Sequence, residues 1–338
     1  MTIKEIFKSA VKEKASDIHL VVSQPPIFRI DGELRPQPGK AISRKEMSEL
    51  VLSILNSEQK NTFQSLKELD LGFENDEGVR FRVNVYLEKD NIGLVARIIS
   101  REIPTLEQVE MPEVVKELLD LKQGLILMVG PTGCGKSTSL AAMVDSINKK
   151  SAKKIITLED PIEYVFTPKK SIIVQRQLGT DMVNFSEGLK HVLRQDPNVI
   201  MVGEMRDLET ISTTITLAET GHLVLATLHT YNAAQTIDRI IDIFPAHQQN
   251  QIRFQLSSIL ASVISQRLVP KAGGGRVAAR EILINTPAVA NLIRERKIAQ
   301  ISTSIETGSK EGMISFRRDL ERMYKAKLIS KEVMQNGL

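Results

Sequence analysis

The stretch LILMVGPTGCGKST, Leu125 to Thr138, decides the fold. It opens on an apolar run of buried-strand length, and KSTSLAAMVDSINKK, which starts at Lys136, has the composition of a helix. Between them Gly130, four residues, and then Gly135, Lys136 and Ser137 form the phosphate-loop pattern G-x-x-x-x-G-K-[ST]. Strand, glycine-rich loop and helix in that order wrap backbone N–H groups around a polyphosphate, and the helix N-terminus adds positive potential. The expected cofactors are therefore ATP and Mg²⁺. Pro131, Thr132, Gly133, Cys134, Gly135, Lys136, Ser137 and Thr138 are the nucleotide-binding candidates. Lys136 is expected to reach the β- and γ-phosphates and Ser137 to ligate the metal.

Outward from this loop, strand-like and helical segments alternate from about residue 114, which predicts an α/β domain with a mostly parallel sheet. Its strand candidates are LILMV, KIITLE, VIMVG and LVLATL. After about residue 245 the pattern is largely helical, with one strand-like segment, RVAAREILI. Upstream, a helix over about 2–14 leads into DIHLVV and PIFRIDGEL, the latter a hairpin turning at Asp31-Gly32. Two helical stretches around 43–66 precede LDLGFE, VRFRVNVYL and IGLVARII, which predicts an α+β domain with a meandering sheet. Pro104 and Pro112 break both periodicities. The expected organisation is a first domain over 1–102, a linker over 103–113 and an ATPase domain over 114–338.

The 45 basic and 41 acidic side chains among 338 residues leave a net charge of only +4, without Trp and without a run of five like charges. No nucleic-acid partner is implied by that balance. A single cysteine excludes internal disulfides and fits a reducing compartment. The charged start MTIKEIFKSAVKEKASD is unlike a signal peptide, and no apolar run approaches the roughly 18 residues of a bilayer span. The expectation is a soluble intracellular protein with no direct membrane insertion.

Three strand candidates end in residues that burial alone does not require. IITLEDPIE supplies Glu159, Asp160 and Glu163, NVIMVGEMRD supplies Glu204, and LVLATLHT supplies His229, with His222 just before the same strand. ATP hydrolysis needs a carboxylate near Mg²⁺ and one to orient the attacking water. Glu204 follows its strand in the Walker B manner, though Gly203 stands where Asp is common. The alternatives are a helix first-turn acid for Glu204, turn acids beside Pro161, and structural histidines.

Together and in this order, these motifs resemble the secretion ATPases of type II, type IV pilus and type IV secretion systems. IITLEDPIE resembles that group's Asp box, IMVGEMRDLET its Walker B and AETGHLVLATLHT its His box. ASDIHL, RFRVNVY and AGGGRVAAREILINTPAVANLIRE extend the likeness over essentially the whole chain, towards the pilus retraction branch. The resemblance implies a PAS-like N-terminal domain and a RecA-like ATPase domain. It further implies a homohexamer at the cytoplasmic face of the inner membrane, acting with a platform protein to power pilus retraction and twitching. It makes Glu204 the catalytic glutamate, Glu163 the Asp-box acid, and His222 and His229 a pair sensing the γ-phosphate. On the same resemblance Ser137, Glu159, Asp160, Glu163 and Glu204 are expected around the metal, and Arg80, Arg82 and Arg97 are expected to reach the nucleotide from the first domain.

Two positions depart from the pattern. Cys134 replaces a serine, and Ala290 replaces the first arginine of AIRNLIRE, a stretch associated with retraction. Lys136 and a helix N-terminus beside Cys134 are features that lower a thiol's pKa, so it is either a small residue tolerated in place of serine or a redox sensor. Maleimide is expected to abolish ATPase activity, with Mg²⁺–ATP protecting and Cys134→Ser resistant. The accessory retraction paralogue stays open as an alternative. One cysteine cannot supply the paired C-x-x-C zinc motifs usual in extension and type II secretion ATPases. A RecA-like nucleic-acid motor predicts a basic stripe or aromatic platform that the chain lacks.

Overall fold

The structure is a computed structural model that describes residues 2–30, 32–99 and 102–336. The chain divides into two compact units, Met1–Glu102 with Glu163–Val165, and Ile103–Ile162 with Phe166–Leu338.

In the first unit, α1 (Ile3–Lys12) starts at a Thr2–Glu5 capping box and buries Ile3, Ile6, Phe7 and Ala10, one stripe at helical spacing. A six-stranded antiparallel sheet follows, built from β1 (Asp17–Leu20), β2 (Ile27–Ile30), β3 (Glu33–Pro36), β4 (Glu68–Glu74), β5 (Arg80–Glu88) and β6 (Asn91–Ile99). Its order is β3-β2-β1-β6-β5-β4, with α2 (Arg44–Leu52) and α3 (Ser57–Leu66) inserted between β3 and β4. Alternation along β5 buries Phe81, Val83 and Val85. Phe7 packs on Phe81 and Phe73 at centroid distances of 4.5 and 5.5 Å. The β2–β3 hairpin is where the sequence predicts it, but Asp31 of its turn lies outside the described residues.

The second unit begins with a turn over 105–111, in which Leu106 and Met111 are buried, and α4 (Glu113–Leu118). Its sheet has seven strands: β7 (Gly124–Val129), β8 (Lys154–Glu159), β9 (Ile172–Gln177), β10 (Val199–Val202), β11 (Leu223–Leu228), β12 (Leu260–Pro270) and β13 (Arg276–Ile284). The order is β13-β12-β7-β11-β10-β8-β9, parallel throughout except for the antiparallel β12–β13 pair. α5 (Lys136–Lys150), α6 (Phe185–Val192), α7 (Leu208–Glu219), α8 (Ala233–Asp242) and α9 (Gln249–Ile259) cover it. Beyond β13 come α10 (Pro287–Arg294), α11 (Ile301–Thr307), α12 (Phe316–Lys325) and α13 (Lys331–Asn336). The main core joins strand residues such as Leu127, Val202 and Ala226 to Ile211, Ile237, Leu256 and Ile293 of the helices.

Two strands correct the sequence expectation. IIVQRQ forms β9, a strand beyond the four expected, which pairs with β8, and the region after 245 contains a second strand, β12, which pairs with β7 as well as with β13. LASVISQRLVP hides its strand character because both its faces are covered and several of its buried positions are polar. Ser265 and Gln266 are buried opposite Glu281 and Arg280, which supply their hydrogen bonds.

Candidate functional site

Val129 of β7 is in register with Leu228 of β11, whose partner β10 matches Val202 to Ala226. The phosphate loop, Glu204 and His229 therefore all leave the carboxyl ends of adjacent parallel strands, where open α/β sheets bind ligands.

The loop's first residue must be glycine. Gly130 adopts φ +148°, and a Cβ there would stand 2.3 Å from Gln266 O and 2.7 Å from Cys134 Sγ. The Gly135 N-cap of α5 has no side-chain oxygen to bond the helix's first N–H groups, which suits an anion. Lys136 is buried, and its ammonium donates to Gly130 O at 2.7 Å and Pro131 O at 3.1 Å. Ser137 and Thr138 begin α5, both half-buried. These residues fit a bound nucleoside polyphosphate: donors and a cation concentrate on one turn of backbone.

Glu204 and His229 meet across the strand ends. Glu204 Oε1 lies 3.2 Å from His229 Nε2, and Glu204 Oε2 lies 2.8 Å from Arg206 Nη2. His229 Nδ1 in turn lies 3.3 Å from the Thr132 hydroxyl of the phosphate loop. A Thr132 hydroxyl donating to Nδ1 leaves the ring proton on Nε2, facing the carboxylate. Burial opposes the charge on Glu204, but hydrogen bonding and attraction from Arg206 and His229 outweigh it and hold the carboxyl below its ordinary range. Arg206, which the sequence analysis passed over, is thus part of this cluster. Its signal was a basic residue two positions from the Walker B acid.

Gly203, in the place where Asp is common, has a packing reason here. A Cβ would stand 3.0 Å from Leu158 O and 3.2 Å from Glu159 Cα, on the neighbouring strand to which Gly203 N donates at 2.7 Å. Gly203→Asp is expected to lower unfolding stability by about 1–3 kcal/mol, as overpacking does, readable as a reduced urea midpoint.

Glu159 ends β8 almost fully buried, and its Oε1 accepts from Thr157 Oγ1 at 2.6 Å and Gln175 Nε2 at 3.0 Å. Asp160 is exposed, as is Glu163, which the division of the chain groups with the first unit. No three His, Cys, Asp or Glu side chains form a metal cage among the described residues. Mg²⁺ bound through one or two protein groups and substrate phosphates needs no such cage.

In the first unit Arg82 of β5 stands opposite Arg97 of β6, which stands opposite Asp17 of β1, and Arg80 shares the face of Arg82. Arg97 Nε donates to Asp17 Oδ1 at 2.8 Å, and Arg80 pairs with Glu74 at 3.8 Å. Facing arginines repel, so this row attracts an anion as well as Asp17.

His222 lies apart from the phosphate loop. It precedes β11, so the strand separates it from His229 by roughly 20 Å at about 3.3 Å per residue. Its carbonyl accepts from Gly124 N at the opening of β7, and its Nδ1 lies 3.0 Å from Leu217 O and 3.2 Å from Thr220 Oγ1. That places it at the end of α7, away from the phosphate loop of its own chain.

Cys134 corrects the expectation of an acidified thiol. Its side chain is 3 % exposed and lies under Gly130, and burial raises its pKa despite the opposing pull of Lys136. Alkylation of the native protein at pH 7.5 is therefore expected to be far slower than of the denatured chain, and Cys134→Ser to remain folded. Equal rates in the two states would show an open thiol. Ala290 is also buried, on the face of α10 that carries Val289 and Ile293.

Comparison with known proteins adds an independent line. The family model described as type II/IV secretion system protein matches residues 1–332. A Pseudomonas aeruginosa protein named as the type IV pilus retraction ATPase PilT is 46 % identical over 98 % of this chain and 96 % of its own. The type IV pilus ATPase PilU of the same organism is 39 % identical over 96 % and 85 %. A crystal structure of the pilus retraction motor PilT with bound ADP superposes with a TM-score of 0.93. It is 43 % identical and covers 100 % of this chain and 97 % of that one.

Proposed function

Because the chain belongs to the type II/IV secretion system protein family, we propose that it is an ATP-hydrolysing motor that powers retraction of a type IV pilus. The observation that carries the reading is the line Thr132–His229–Glu204, which joins the phosphate loop to a carboxylate kept ionised. The greater identity to PilT than to PilU favours the principal retraction motor over its accessory paralogue.

In this reading residues 114–338 are a RecA-like ATPase domain, 1–102 a PAS-like domain, and 103–113 their connection. Lys136 would bind the β- and γ-phosphates, and Ser137, Glu159, Asp160, Glu163 and Glu204 are the residues that would hold Mg²⁺. Held there, the metal would supply neutralisation of the charge building on the phosphate oxygens. Glu204 accepts a hydrogen bond from the attacking water and aligns it with the γ-phosphorus. His229 links Glu204 to Thr132 of the phosphate loop through its two ring nitrogens, so a γ-phosphate held by that loop is felt at Glu204. Arg80, Arg82 and Arg97 supply the first domain's positive charge to the nucleotide. Six copies form the ring, cytoplasmic and docked on a platform protein at the inner membrane.

Mg²⁺-dependent phosphate release, unaffected by single-stranded DNA, is the expected biochemical result. A deletion strain is expected to be hyperpiliated and non-twitching. Bald cells would assign extension instead, and phosphate release that requires DNA would assign a nucleic-acid motor.

A further inference from the structure

Behind the phosphate loop lies a buried charge that neither the nucleotide chemistry nor the core requires. Arg280 of β13 is fully buried. Its guanidinium donates from Nε to Gln266 Oε1 at 2.9 Å, and from Nη2 to the Ser139 hydroxyl at 3.3 Å. It also donates from Nη1 to Glu110 O at 2.9 Å and from Nη2 to Val109 O at 2.8 Å. Gln266 Oε1 accepts a second bond, from Ser139 Oγ at 2.8 Å, and its Nε2 donates to Cys134 O at 2.7 Å inside the phosphate loop. The amide can face only one way, because its oxygen already meets two donors. Burial pulls the guanidinium down to about 10, so it remains charged at neutral pH.

Neutralising a buried arginine takes one carboxylate, and Asp319 is at hand, yet Asp319 accepts from the Arg280 backbone N at 2.8 Å and from Arg322 Nε at 2.8 Å. The guanidinium instead joins two main-chain carbonyls on one side to the loop's supports on the other. The carbonyls belong to a turn that a Thr105–Gln108 box holds closed, Gln108 N donating to Thr105 Oγ1 at 3.2 Å and Thr105 N to Gln108 Oε1 at 2.8 Å. The second unit begins at Ile103, so this turn is the first structure the chain forms there. A charge with several kcal/mol of desolvation cost is replaceable by an apolar side chain unless its geometry matters.

We propose that Arg280 is a positioning residue that makes the phosphate loop answer to the turn over residues 105–110. When the turn holds its carbonyls in place, Arg280 fixes Gln266, and Gln266 fixes the backbone at Cys134. When the turn loosens, the loop loosens with it, and nucleotide is held less tightly. The nucleotide half of this statement rests on the proposed function, but the linkage between turn and loop does not.

The single cysteine reads that linkage without nucleotide. In the full-length protein, the rate of Cys134 alkylation by iodoacetamide is measured for the wild type, for Thr105→Ala/Gln108→Ala, for Arg280→Lys and for Arg280→Met. Thermal midpoints are recorded alongside. The turn variant, remote in sequence from the thiol, is expected to speed alkylation by about 2- to 100-fold, the range that coupling within one hydrogen-bond network produces. In the Arg280→Lys background the same turn change is expected to add little. An unchanged rate in the turn variant overturns the proposal, as do effects of the two changes that simply multiply. If Arg280→Met does not fold, the turn variant and Arg280→Lys decide between these outcomes. Protection of wild-type Cys134 by ADP tests the nucleotide site separately, so its failure is distinguishable from failure of the linkage.

Discussion

Glu204→Gln lowers kcat by about 10² to 10⁴, a barrier increase of roughly 3–5 kcal/mol, while ATP still binds. The substitution keeps the shape and the contacts to His229 and Arg206 within reach, but removes the negative charge proposed to orient water. Binding by fluorescent ATP analogue and turnover by phosphate release separate the two effects, and an unchanged kcat sinks the assignment. The same carboxylate sets the acid side of the pH profile. Against the effect of burial, Arg206 and His229 hold this carboxyl below the ordinary glutamate range, so Glu204 protonation is expected to limit activity only at pH more acid than that range. The sign for stability is the same: the ion cluster's contribution is present above the unfolded pKa and is lost as pH falls through the folded one. An activity loss already complete at pH 6 would point to another group.

Gly130→Ala damages the molecule at its most crowded point. A Cβ 2.3 Å from Gln266 O must displace backbone, since the partner is the β12 main chain rather than a movable side chain. Strain at φ +148° adds to that displacement. The combined cost is about 2–5 kcal/mol, and it falls on the junction between β7 and the phosphate loop. Expected results are a lower urea midpoint and loss of ADP binding together. Native affinity and midpoint in this variant would show that β12 yields freely.

The apolar runs of β7, β8, β10 and β11 were legible because each is buried on both faces and bounded by polar strand ends. The phosphate loop was legible because its glycines serve backbone geometry, which leaves a fixed spacing. β12 was not, because the polar Ser265 and Gln266 interrupt its apolar run, and they are buried only through Glu281 and Arg280 of a strand that the sequence does not pair with it. His222 and His229 look like a pair in the sequence, but a strand between them sends each to a different end of the sheet. Cys134 misled in another way. Its neighbours in sequence are the cation and helix end that acidify a thiol, whereas its neighbours in space are Gly130 and the Gln266 side-chain amide. Burial is the larger effect, and it has no signature at the level of two adjacent residues.

The buried thiol has a practical consequence for measuring motion. Most proteins must be stripped of native cysteines before fluorophores can be attached at chosen points. Here a cysteine introduced on an exposed position of each unit would couple to maleimide dyes while Cys134 stays silent. Pairs of dyes on an otherwise natural chain then give distances by energy transfer during turnover, without altering the loop whose work is being watched.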